Sequence, residues 1–121
     1  MEFYKCEGCG NLAALLVKGA GIMECCGKPM KKLEPNMTDG AREKHVPVVE
    51  REGGLLKVKV GDVAHPMLEE HYIEWIALVT ERAVQIHYLK PGEAPETVFA
   101  AEEHGTALAY CNLHGLWGAE F

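Results

Sequence analysis

The sequence has little that would bind it to nucleic acid or to a membrane. Its longest run of basic residues is the pair Lys31–Lys32, and the formal net charge is −6, so the basic patch that phosphate binding needs is missing. No apolar stretch approaches the roughly 20 residues of a membrane-spanning helix. The first residues also lack the basic start and apolar core of a secretory signal. We therefore expect no nucleic-acid partner, no membrane partner and a cytoplasmic location.

Cysteine is present in an arrangement that argues against disulfides. There are five cysteines, an odd number, and four of them lie between residues 6 and 26. A reducing compartment disfavours disulfides, and adjacent cysteines such as Cys25 and Cys26 rarely bridge without strain. Clustered thiols in a cytosolic chain are more typical of metal ligands.

The composition changes along the chain and predicts two domains. Residues 1–36 hold four of the five cysteines and no histidine. A unit below about 40 residues can hardly bury a stabilising core, so it usually needs a metal or disulfides. The segment 33–40 contains the breakers Pro35 and Gly40 and predicts a linker. We predict a metal domain at 1–36 and a second domain at 37–121.

The second domain shows short apolar segments separated by turns. Segment 55–60 alternates apolar residues with lysine, 71–79 is a longer apolar strand, and the alternation within 83–89 turns His87 toward solvent. Such strands, spaced by roughly 8–12 residues, favour an antiparallel sandwich or barrel. The fold class is therefore all-β. The Ala-rich composition of 96–110 would also suit a helix.

The first candidate site is a four-thiolate metal centre. Cys6 and Cys9 form a C-x-x-C turn, and Cys25 with Cys26 supplies a second pair. Four thiolates in a tetrahedron suit zinc or a single iron, and the spacing does not choose between them. Neighbouring cysteines must splay, so the tetrahedron should be distorted. Gly10 stands where a c-type haem motif needs histidine, which disfavours haem.

The second candidate site combines histidines with the last cysteine. Three histidines lie where loops meet strands, a fourth lies three residues after Cys111, and the remaining two, His87 and His104, are read as solvated. The candidate ligands are His45, His65, His71, His114 and Cys111. Imidazoles with one thiolate suggest redox chemistry rather than a structural role. Five ligands also leave one octahedral position open for a small substrate.

Five motifs, with the four-cysteine unit, carry a family resemblance over essentially the whole chain. They are "EKHVP" (43–47), "AHPM" (64–67), "HYIEWI" (71–76), "LKPG" (89–92) and "YCNLHG" (110–115). In this order they resemble the superoxide reductases. The N-terminal cysteines make the chain similar to their two-iron form, desulfoferrodoxin.

The resemblance implies a fold, a cofactor and an activity. It implies a desulforedoxin-like iron domain followed by a seven-stranded immunoglobulin-like sandwich, with two irons per chain. The second iron would have His45, His65, His71 and His114 as equatorial ligands and Cys111 as the axial thiolate. The implied activity is one-electron reduction of superoxide to hydrogen peroxide. The implied partners are superoxide, an electron donor such as rubredoxin, and a second copy of the chain.

Glu43 and Lys44 precede His45 and are expected to take part in that chemistry. Lys44 would attract the superoxide anion in an otherwise acidic protein. By resemblance, Glu43 would occupy the open position once the iron is ferric. The alternative for this pair is that both residues are solvated charges in a surface loop, with no functional role.

Two other readings of the whole chain stay open at the sequence level. One is a cupredoxin-like electron carrier, which needs two histidines, a thiolate and usually an axial methionine. Methionine does not follow Cys111. The other is a zinc-binding interaction module, which accounts for the four cysteines and leaves the second constellation unexplained.

Overall fold

The computed structural model describes residues 1–39 and 44–121, and the chain divides into two compact units, Met1–Glu34 and Pro35–Phe121. The regular elements of this described part are all β-strands, in agreement with the predicted all-β class. No helix there is long and apolar enough to cross a membrane. Glu43, predicted to act beside the second site, lies outside the described residues.

The first unit is built from five short strands. These are β1 (Glu2–Lys5), β2 (Leu12–Leu15), β3 (Glu24–Cys25), β4 (Lys28–Pro29) and β5 (Lys31–Leu33). β1 lies between β2 and β5 in an antiparallel sheet, and β3 pairs with β4 as a separate hairpin. Only Phe3 and Cys6 are buried in this unit. So small a core agrees with the expectation that the unit needs a metal.

Seven strands form in the described residues of the second unit, 35–39 and 44–121. They are β6 (Pro47–Glu52), β7 (Leu55–Val60), β8 (Ile73–Val79), β9 (Val84–Tyr88), β10 (Glu96–Ala100), β11 (Thr106–Cys111) and β12 (Gly115–Glu120). One sheet has the order β10-β7-β6 and the other β12-β11-β8-β9, with every pairing antiparallel. The predicted seven-stranded sandwich is confirmed. The Ala-rich stretch 96–110 forms strands β10 and β11 and no helix.

The core of the sandwich lies between the two sheets. Leu56 and Val58 of β7 pack with Ile76 and Leu78 of β8, all almost fully buried. Cys111, at the end of β11, belongs to the same cluster and has no exposed surface. A candidate metal ligand is thus also a core residue.

Strand β9 does not bury the apolar side that its alternation indicates. Val84, Ile86 and Tyr88 are exposed, and the polar Gln85 is the residue turned partly inward. The reason is that β9 is the edge strand of its sheet. Gln85 Nε2 donates to Ala100 O, and Ala100 N donates to Gln85 Oε1, both at 3.2 Å. The amide therefore joins β9 to β10, the edge strand of the other sheet. His87 is exposed, as predicted.

Candidate metal centres

The four cysteines of the first unit converge on one point. Their sulfurs lie within 4.8 Å of one another. Cys9 Sγ is 3.6 Å from Cys25 Sγ, which is 4.0 Å from Cys26 Sγ. A tetrahedral metal with metal–sulfur bonds of about 2.3 Å would place its sulfurs about 3.8 Å apart. The spacing of these thiols therefore fits a four-thiolate metal.

Backbone conformation explains how adjacent cysteines reach the same centre. Cys26 has a φ of 53°, in the left-handed region that only few residues other than glycine adopt. This reversal lets the side chain of Cys26 point toward the same centre as Cys25. Gly27 follows with a φ of 73° and completes the turn between β3 and β4. The left-handed backbone conformation at Cys26 thus allows the two adjacent cysteines to direct their sulfurs to one centre.

The C-x-x-C turn is prepared for a thiolate. Cys9 N donates to Cys6 Sγ at 3.4 Å, and this hydrogen bond lowers the pKa of Cys6 to about 6. Hydrogen bonds with Cys9, Cys6 and Cys25 raise the pKa of Cys26 to about 12. Hydrogen bonding from the backbone of the turn therefore favours the thiolate form of Cys6.

The second centre brings together residues from four separate segments of the sandwich. Donor atoms of His45, His71, Cys111 and His114 all lie within 4.8 Å of one another. His45 Nε2 is 3.2 Å from His114 Nδ1, and Cys111 Sγ is 3.8 Å from the same nitrogen. His65 is not in that set, although its ring contacts two members of it.

The four imidazoles form a closed circuit of ring contacts. The His65 centroid is 4.6 Å from that of His45 and 4.7 Å from that of His71. The His114 centroid is 5.0 Å from each of the same two rings. Each ring therefore has two neighbours, so that His45 lies across from His71 and His65 lies across from His114. Such a circuit is the arrangement expected of four nitrogens around one metal.

The cluster has an inner and an outer side. Cys111 has no exposed surface, His45 is 4% exposed and His65 is 3% exposed, whereas His114 lies at the surface. The thiol therefore approaches from the core, and the imidazole circuit borders on solvent. Imidazoles with one thiolate suit iron or copper, so the donor set itself fits a redox metal.

Backbone groups select which nitrogen His65 can offer. His65 Nδ1 is 2.7 Å from Pro66 O. A carbonyl only accepts, so Nδ1 carries the proton and Nε2 keeps its lone pair for the centre. A second partner that fixes the tautomer in this way is typical of metal-binding histidines.

Asp39 holds the segment that carries His45. Its Oδ1 accepts hydrogen bonds from the backbone N–H groups of His45 and Val46, the latter at 3.0 Å. Lys44 is half-buried, and its backbone lies close to Gly61, in the turn that follows β7. A Cβ added at Gly61 would lie 2.5 Å from Lys44 O, so only glycine permits this approach.

Two further residues support the site, and sequence reasoning assigned a role to neither. Trp117 stacks on His45 with centroids 4.4 Å apart and rings 15° from parallel, and its Nε1 donates to His114 O at 3.1 Å. Asn112 bonds to the segment that carries His71. Both residues belong to the stretch "YCNLHGLWG", so their nearness to Cys111 and His114 was the available signal.

Comparisons with known proteins agree across both units. The family model for the desulfoferrodoxin N-terminal domain matches residues 1–33, and the desulfoferrodoxin model matches residues 37–120. The chain is 51% identical over 118 residues to a desulfoferrodoxin homolog of Archaeoglobus fulgidus, covering 97% of this chain and 94% of that protein. It is 51% identical over 120 residues to the desulfoferrodoxin of Nitratidesulfovibrio vulgaris, covering 98% and 95%.

A solved structure gives the same result for the fold. The superoxide reductase from Treponema pallidum superposes with a TM-score of 0.80 at 34% identity, covering 98% of this chain and 96% of that one.

Proposed function

The chain belongs to the desulfoferrodoxin family, and from this membership and the geometry of the second centre we propose that it is a superoxide reductase. The observation that carries the proposal is a fully buried thiol clustered with a circuit of four imidazoles that reaches the surface at His114. His45, His65, His71, His114 and Cys111 would hold the iron, which would supply the one electron that, with two protons, converts superoxide to hydrogen peroxide.

The ligand assignment follows from the donor atoms that converge. His45 and His65 would bind through Nε2 and His114 through Nδ1, with His71 completing the circuit. Cys111 would supply the anionic donor from the buried side, where low dielectric strengthens its attraction to the more highly charged ferric ion. The sulfurs of Cys6, Cys9, Cys25 and Cys26 would hold the other iron, at the first centre, in the proposed domain 1–36.

Lys44 is proposed to attract the substrate. The chain carries a formal net charge of −6, so an anion approaching it meets a repulsive field on average. Lys44 directly precedes the ligand His45, and a cation at that place favours the encounter locally. Glu43 is proposed as the carboxylate that approaches the open position of the ferric ion.

Three further proposals concern the electron donor, the oligomeric state and the cellular location. A one-electron reductase needs an external donor, and a small iron carrier such as rubredoxin has the matching chemistry. Leu16, Val17 and Ile22 of the first unit are exposed by more than 70% each, which supports a homodimer that covers them. Five cysteines, all present as thiols, support a reducing cytoplasm.

The test is the stoichiometry of superoxide removal by the iron-loaded protein with a reductant. Reduction yields one hydrogen peroxide per superoxide and no oxygen, whereas dismutation yields half as much peroxide together with oxygen. We expect the reductive ratio. Cys111→Ala, which removes the buried thiol, should lose the activity. A dismutase ratio, or equal activity in Cys111→Ala, would contradict the proposal.

A further inference from the structure

Asn112 connects two ligand-bearing segments that lie far apart in the sequence. It directly follows Cys111, and three of its polar groups form hydrogen bonds with Glu70 and Tyr72. Its backbone N donates to Tyr72 O at 3.2 Å, its Oδ1 accepts from Tyr72 N at 2.9 Å, and its Nδ2 donates to Glu70 O at 3.1 Å. His71 is the residue between these two partners.

The regular sheet cannot make this connection. β11 pairs with β8 in register until Tyr110 meets Trp75, and the register then shifts so that Cys111 meets Ile73. The bulge leaves Glu74 without a partner residue in this ladder and marks the end of regular pairing. Asn112 continues the contact beyond the bulge, with a side-chain amide in place of a further strand residue.

Leu68 fixes the same segment from another direction. Leu68 N donates to His71 O at 2.9 Å, and His71 N donates to Leu68 O at 3.1 Å. The peptide groups of His71 are therefore held by Leu68, while those of its two neighbours are held by Asn112. A histidine gripped in this way has little freedom to turn away from the centre.

We propose that Asn112 is a positioning residue that fixes His71 relative to Cys111 and so presets the second metal centre before metal binds. The inference rests on the proposed function in that this centre is the one that reduces superoxide. The position requires an acceptor and a donor on one short side chain. Aspartate lacks the donor, leucine lacks both, and glutamine is one methylene longer.

The expected effect follows from how partners behind metal ligands act. Their removal typically weakens metal binding 10- to 100-fold, because the ligand must then be ordered when the metal binds. Asn112→Ala should therefore release metal from the second centre at least about tenfold faster. Asn112→Asp keeps the acceptor for Tyr72 N and should fall between the wild type and Asn112→Ala.

The experiment uses the full metal-free chain loaded with Co²⁺ and then mixed with excess chelator. Cobalt–thiolate absorption reports both centres, and the phase that disappears in Cys111→Ala identifies the second one. The four-cysteine phase is an internal reference. Gln85→Ala is the matched control, because Gln85 also makes two amide hydrogen bonds to distant backbone, at the β9–β10 edge.

The predicted outcome is an accelerated Cys111-dependent phase and a shifted cobalt–thiolate band in both Asn112 variants, with the four-cysteine phase unchanged. Gln85→Ala should lower the Tm and leave the release rates and the band at wild-type values. Wild-type release and an unshifted band in a folded Asn112→Ala would overturn the positioning role. Lack of superoxide reduction by wild-type protein with the predicted cobalt behaviour would instead overturn the proposed function alone.

Discussion

Gly61 should be indispensable for the placement of Lys44, and replacing it with alanine tests this directly. Gly61 has a φ of 82°, and a Cβ there would lie 2.5 Å from Lys44 O and 2.6 Å from Val63 O. Both obstacles are backbone atoms, which cannot rotate away. Gly61→Ala therefore combines a left-handed conformation with a direct overlap, and the chain must move at the segment that carries Lys44.

Gly92 offers a matched control for the conformational part of that effect. Its φ is 88°, and a Cβ there would meet nothing within 4 Å. Gly92→Ala should cost about 1–2 kcal/mol for the left-handed conformation alone. The overlap at Gly61 should add about 1–3 kcal/mol, as overpacking does. For a domain of this size the Tm should fall by roughly 5–15 °C in Gly92→Ala and 10–30 °C in Gly61→Ala.

Thermal unfolding monitored by circular dichroism measures the Tm of both variants, and the rate of superoxide consumption measures their activity. Gly61→Ala should slow the reaction at temperatures where it is still folded, because Lys44 and His45 shift together. Gly92→Ala should react at the wild-type rate. Equal losses of Tm in the two variants would refute the reasoning, since the contact at Gly61 would then contribute nothing.

Three further predictions concern the two metal centres. Trp117→Phe should keep the stack on His45 and lose the hydrogen bond to His114 O, which should lower the free energy of unfolding by about 1 kcal/mol. Trp117→Ala also loses the stack and should lower it further, and chemical denaturation measures both. Lys44→Ala should slow the second-order reaction with superoxide up to about tenfold at low salt, and Lys44→Arg should not; a gap that persists at high salt would contradict electrostatic attraction. In the metal-free protein, hydrogen bonding to the Cys6 thiolate lowers the pKa of Cys6 to about 6. This hydrogen bonding therefore stabilises the first unit at higher pH, and the stabilisation is lost as the pH falls through about 6. Thiolate absorbance measured against pH checks this.

The sequence predicted the parts of the structure that depend on local pattern or on ligand chemistry. Alternation located β7, and apolar content located β8, because burial of one or both faces sets these patterns. The Ala-rich stretch 96–110 left strand and helix open. The four-cysteine cluster was predictable because few other arrangements explain crowded thiols. The second ligand set was a candidate from histidines where loops meet strands and from Cys111, and the motif resemblance supplied its equatorial and axial roles. His45 and His114 lie 69 residues apart, so no local pattern joins them.

The residues that sequence reasoning missed depend on long-range register. The role of Asn112 exists only because the β8–β11 ladder shifts at a bulge, which no local pattern reveals. The stack of Trp117 on His45 needs the relative placement of β12 and the loop before β6. The alternation in β9 did not predict burial, because at this sheet edge both the apolar residues and His87 are exposed.

Cys111 packs in the hydrophobic core and is also a candidate ligand of the second centre, and these two roles limit which substitutions the protein can accept there. Any replacement at that position would change internal packing and metal chemistry at once, so the two properties cannot be adjusted separately there. The half-buried Lys44 belongs neither to the core cluster nor to the ligand set. Among related proteins, we therefore expect differences in reactivity to come from such solvent-facing residues that are not ligands, while Cys111 stays the same.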